Sequence, residues 1–115
     1  MKTRKNIRYS STNGCISVRN DGSFLAQFRV CYFVEEQRFT QHSGLLKKGK
    51  TLTMHIPAEA ENVTITLEQL VKIHPEMWRE IFNLNSPYTG NREFRVWGTI
   101  HHPRFGSMIP KHQNI

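Results

Sequence analysis

The stretch Phe24-Leu25-Ala26-Gln27-Phe28-Arg29-Val30-Cys31-Tyr32-Phe33 decides the fold. Phe24, Ala26, Phe28, Val30 and Tyr32 fall on one face, and Leu25, Gln27, Arg29, Cys31 and Phe33 on the other. Side chains alternate across a strand, so this rhythm predicts a strand with one buried face. The same rhythm returns at Leu52, Met54 and Ile56, where Pro57 ends the strand, and again at Val63, Ile65 and Leu67. It returns once more over residues 92–100, with Phe94, Val96 and Gly98 opposite Arg95, Trp97 and Thr99. A shorter strand, Cys15–Arg19, precedes the turn-forming run Asn20-Asp21-Gly22-Ser23.

One segment breaks the twofold period. Pro75 suits the first position of a helix, with Glu76 in its first turn. Met77, Trp78, Ile81 and Phe82 then lie on a helical stripe, which predicts a short helix near residues 75–84. Residues 35–43 are polar, and residues 44–50 read as a loop ending in Lys47-Lys48-Gly49-Lys50. The expected fold is all-β: a two-sheet antiparallel β-sandwich with that one short helix. It occupies residues 14–110, behind a basic flexible segment (1–13) and ahead of a short tail (111–115).

With 115 residues, 37% apolar and 22% charged, the chain has the composition of one globular domain. No apolar run approaches the roughly 18 residues of a membrane-spanning helix. Residues 1–14 are basic without a following apolar core, so no secretory signal is read there. The compartment stays open between the cell interior, a signal already removed, and export by a non-classical route. A formal charge of +7 favours polyanionic partners, whether nucleic acid, anionic lipid or acidic glycan. Cys15 and Cys31 fit no metal-ligand spacing; they can pair only if their two strands lie side by side, and otherwise are expected as buried free thiols.

Motifs for catalysis are absent, including the glycine-rich phosphate loop, the nucleophile elbow and the zinc-protease helix. Six histidines form no evident metal set, since adjacent His101 and His102 point to opposite faces if the strand continues. The expectation is a non-enzymatic binding module with no cofactor and no metal. Nucleic acid ranks lower as a partner because Phe24, Phe28, Tyr32 and Phe94 fall on the core face instead of offering stacking platforms. Self-association through exposed strand edges is a third reading.

Read in order, several segments resemble the C-terminal, membrane-recognising domain of the cholesterol-dependent (thiol-activated) cytolysins. Gly22-Ser23-Phe24-Leu25-Ala26-Gln27-Phe28 resembles that domain's G-x-Y-V-A-Q-F strand. Ile56-Pro57 followed by Ala60-Glu61-Asn62-Val63-Thr64-Ile65 resembles its I-P-L-x-A-x-A-x-N-I-x-I stretch. Trp78-Arg79-Glu80-Ile81 resembles W-R-D-V, and Asn91 through Trp97-Gly98-Thr99 to Pro103 resembles its closing strand. The resemblance implies a four-stranded, two-sheet sandwich that recognises membranes, without the pore-forming domains that precede it in the family.

Departures from the family pattern redirect the expected ligand. The family's tryptophan-rich loop falls on residues 69–79, where Leu70 replaces its cysteine and Pro75 and Met77 replace two tryptophans. Glu76, Trp78 and Arg79 remain. The Thr-Leu pair that recognises cholesterol falls on Ile100 and His101, so sterol binding is not carried over. The family's loop tip maps onto residues 20–23, Lys47, Lys48, Lys50, Lys72 and His74, and onto Ile100, His101, His102 and Arg104. Amines, imidazoles and guanidiniums there favour anionic lipid head groups or acidic glycans on a membrane surface. Trp78 is expected in the core, and Arg79 as a brace for the loop through an acidic or carbonyl partner.

Overall fold

A computed structural model describes residues 14–88 and 90–108, so the basic lead-in and the tail lie outside the described residues. The strands are β1 (Gly14–Gly22), β2 (Ala26–Val34), β3 (Gln37–His42), β4 (Lys50–Ile56), β5 (Glu61–Lys72), β6 (Met77–Tyr88), β7 (Arg92–Gly98) and β8 (Pro103–Ser107). They form two four-stranded sheets, ordered β4-β1-β7-β8 and β3-β2-β5-β6. Neighbours run antiparallel except β1 and β7, which run parallel. The alternation that predicted the layers also supplies their contents: Val18, Phe28, Ile56, Ile65, Leu67 and Val96 are all fully buried between the sheets. Among the described residues no helix is long and apolar enough to cross a membrane.

The expected helix is not formed. Residues 77–88 are strand β6, and Pro75 lies in the turn before it. The physical reason is a bulge: Leu67 pairs with Phe82 and Glu68 with Glu80, which leaves Ile81 as an extra residue. One inserted residue shifts the alternation by one. Apolar side chains then recur at adjacent positions, and a bulged strand imitates the helical stripe. Trp78 therefore sits opposite Leu70 and is half-buried, outside the buried core.

Other boundaries also move. Asn20, Asp21 and Gly22 belong to β1 and not to a turn, because β7 pairs with β1 as far as Gly22, opposite Gly98, and β4 pairs with it as far as Asn20, opposite Lys50. The polar segment 35–43 contains β3, hinged by Glu35 and Glu36, which have φ values of 52° and 70°. The segment after His102 contains β8. Both overlooked strands are sheet edges whose side chains are mostly exposed, so no apolar rhythm marks them. Cys15 and Cys31 are free, but each is only half-buried, and they lie in different sheets.

On the outer face of the first sheet Asp21 accepts Arg95 Nε at 2.7 Å and Arg19 Nε at 2.9 Å. Arg95 also lies 4.7 Å from the centre of the Trp97 ring. The Arg95 hydrogen bond, joined by the Arg19 charge, outweighs desolvation and holds the Asp21 carboxyl below its usual 3.8. A depressed folded-state value adds stability that is present above 3.8 and lost as pH falls through the folded value. Asp21→Asn should thus lower the melting temperature near neutral pH, with the gap to the parent closing in acid. Thermal unfolding across pH checks this, and a gap that persists in strong acid would contradict it.

Candidate functional site

Strand directions decide which connections share an end. β1, β5 and β7 finish at one pole, where β2, β4, β6 and β8 begin: Asn20 pairs with Lys50, Gly98 with Pro103, and Gln69 with Ala26. The connections 23–25, 43–49, 73–76 and 99–102 therefore all project from that pole. The turns 35–36 and 57–60 lie at the other.

Every residue mapped to the tip is thereby brought to one end, but in two groups. Lys47, Lys48 and Lys50 lie on the side of edge strand β4, all exposed. Lys50 N donates to Lys47 O at 3.1 Å, and Gly49 N donates to Asn20 O at 2.6 Å, which seats this turn on β1. Lys72 and His74 on the β5–β6 hairpin, with His101, His102 and Arg104 at the β7–β8 turn, form the second group, also exposed. Strands β4 and β8 are three strand spacings apart, about 14 Å.

Three internal devices shape the pole. Asn20 is wholly buried, and its Nδ2 donates to Phe24 O at 2.8 Å and Leu46 O at 2.9 Å. Its Oδ1 accepts Gly22 N at 2.8 Å, so one amide ties β1 to two of the connections. Arg79 bridges the hairpin to the β7–β8 turn: it donates to Gln69 Oε1 at 3.0 and 2.7 Å and to the Ile100 carbonyl. The expected carbonyl partner of Arg79 is thus present. Gly98 has φ +96°, and a Cβ there would meet the His102 carbonyl oxygen, so the tight 99–102 turn depends on glycine.

What the sequence reading missed is apolar. Ile73 at the hairpin turn is 64% exposed, Leu45 is 53% and Met77 is 49%. Ile73 also lines a groove of about 500 Å³, walled by Phe24, Leu25, Leu70, Val71 and Ile100 and rimmed by Lys72 and His74. A second groove of about 500 Å³ is lined by His101, His102, Pro103, Arg104 and the exposed Phe105. Ile73 and Leu45 stand alone in connecting segments, where no periodicity marks them, and Met77 opens β6 with its side chain outside the core.

The sandwich thus gathers four connections, exposed cations and bare apolar side chains at one pole. The family described as the thiol-activated cytolysin beta sandwich domain matches residues 15–104, and the chain belongs to it. Listeriolysin O of Listeria monocytogenes serotype 4a (strain HCC23) is 24% identical over 110 residues, covering 85% of this chain. Tetanolysin of Clostridium tetani (strain Massachusetts / E88) is 27% identical over 105 residues, covering 81%. The chain spans about a fifth of each toxin's length (21% and 20%). The solved membrane-binding domain of pneumolysin superposes with a TM-score of 0.65 at 15% identity, covering 86% of this chain and 98% of that one. Intermedilysin, solved with human CD59, gives 0.64 at 20% identity, covering 86% and 24%.

Proposed function

We propose that this domain is a non-catalytic module that docks on membranes bearing anionic head groups, pole first. The carrying observation is the meeting at one pole of exposed Ile73, Leu45 and Met77 with Lys47, Lys48, Lys72 and His74. Apolar side chains enter the interface while ammonium groups above them meet phosphate, and each basic residue adds roughly 1 kcal/mol. Kinship with the cytolysin sandwich domains, among them one solved as a membrane-binding domain, supports this reading. Sterol is not the proposed ligand, because Ile100 and His101 stand where the family carries its Thr-Leu pair.

The His101–Phe105 groove favours acidic sugar as a second head group, since two imidazoles and a guanidinium flank an exposed ring. Flotation with neutral, neutral sterol-containing and phosphatidylserine-containing vesicles tests the first reading. Binding should appear with phosphatidylserine alone and weaken as salt screens it. Equal binding to all three, or none to the anionic vesicles, would overturn it. Competition by a soluble sulfated sugar tests the second.

A further inference from the structure

Away from the pole, on the outer face of the first sheet, Cys15 and His55 stand directly opposite each other on β1 and β4. Cys15 Sγ lies 3.3 Å from His55 Nδ1. We propose that this pair holds a thiophilic divalent metal ion of the zinc class. The inference is independent of membrane docking, because it uses none of the residues invoked there.

Geometry carries the case. Zinc bonds of about 2.3 Å to thiolate sulfur and about 2.0 Å to imidazole nitrogen, at a tetrahedral angle, separate the two donor atoms by about 3.5 Å. The observed 3.3 Å needs only a slight opening. The ion enters between the sulfur and the nitrogen. Binding forms an S–metal and an N–metal bond, breaks the S–H bond, and releases one proton to solvent. The ion brings the charge, so no oxidant or reductant takes part.

The backbone beneath the pair is fixed from both sides. β1 and β4 pair residue for residue from Gly14–Ile56 to Asn20–Lys50. Cys15 N donates to Asn91 Oδ1 at 3.0 Å, and Gln41 Nε2 donates to His55 O at 3.2 Å. His55 is exposed and Cys15 half-buried, so an ion reaches them without a conformational change. Among the described residues no third His, Cys, Asp or Glu side chain joins the pair, so Cys15 and His55 are the two protein donors proposed.

Cys31 is the internal contrast. Its Sγ faces Thr40 Oγ1 at 3.3 Å and Arg38 Nη2 at 3.7 Å, with no imidazole. Burial raises this thiol's pKa, but the hydrogen bonds from Thr40 and Arg38 and the charges of Arg38 and Arg29 lower it further, for a net decrease. A guanidinium that stabilises a thiolate also repels a metal cation. The two cysteines are thus expected to part in chemistry: Cys15 toward metals, Cys31 toward neutral electrophiles.

Cobalt(II) added to the fully reduced chain gives the test, since a cobalt–thiolate bond has its own near-ultraviolet absorption. The band should saturate at one ion per chain and bleach when zinc is added. Cys15→Ser should abolish it, His55→Ala should weaken binding by about tenfold or more, and Cys31→Ser should leave it unchanged. Far-ultraviolet circular dichroism of each variant separates loss of the site from loss of the fold. No thiolate band in the parent chain, a band that follows Cys31, or full affinity in His55→Ala would each overturn the proposal.

Discussion

Alanine at Lys47, Lys48 and Lys72 together is expected to weaken binding to phosphatidylserine vesicles roughly a hundredfold, since each ammonium contributes about 1 kcal/mol near an anionic surface. The three side chains are exposed and come from both groups at the pole. No ion pair of theirs is found among the described residues, so thermal stability should hardly change. The salt dependence of the remaining binding should flatten, because fewer charges are left to screen. Ile73→Ser separates the second contribution. Immersing a side chain of that size gains about 1.5–3 kcal/mol, so its loss should cost roughly ten- to a hundredfold while the salt dependence stays as it was. Flotation at several salt concentrations reads both. If the lysine variant binds as the parent does, the pole is not an electrostatic docking surface.

The largest effect on stability is expected from Asn20→Ala. That change leaves two carbonyls, Phe24 O and Leu46 O, and one amide, Gly22 N, without the partner that Asn20 supplies. Stranding a buried polar group costs about 1–3 kcal/mol. Leu46 N still donates to Ala26 O at 2.8 Å and Ala26 N to Leu46 O at 3.1 Å, so the Leu46 carbonyl keeps one donor. A total of about 3 kcal/mol follows, which for a domain near this size lowers the melting temperature by roughly 12–24 °C. Asn20→Asp keeps the acceptor but loses both donated bonds and buries a charge, so it should not rescue. Thermal melts followed by circular dichroism decide the matter. A drop of only a degree or two would mean that the three bonds are not what holds these connections.

Legibility tracked the origin of each signal. β2, β4, β5 and β7 were readable because burial on one face writes a twofold rhythm into neighbouring residues. β3 and β8 were not, because an exposed edge strand buries little and leaves its side chains free to be polar. β6 was misread because the extra residue at Ile81 shifts its rhythm, and the cause of that shift lies in the register with β5. Asn20-Asp21-Gly22 looked like a turn by local preference, yet pairing with β7 along all three residues keeps it extended, and its asparagine became an internal tie.

Sequence alone determined the two-layer sandwich, because the alternation of apolar and polar side chains is a local consequence of strand geometry. It also determined that the lysines and histidines of segments 47–50, 72–74 and 101–102 stand exposed, since charge resists burial wherever it occurs. Only the tertiary structure decided that those segments share one pole, that Ile73, Leu45 and Met77 are bare there, and that Cys15 meets His55. Those facts depend on strand order, direction and register. They come from packing between residues distant in the chain, which no single segment encodes.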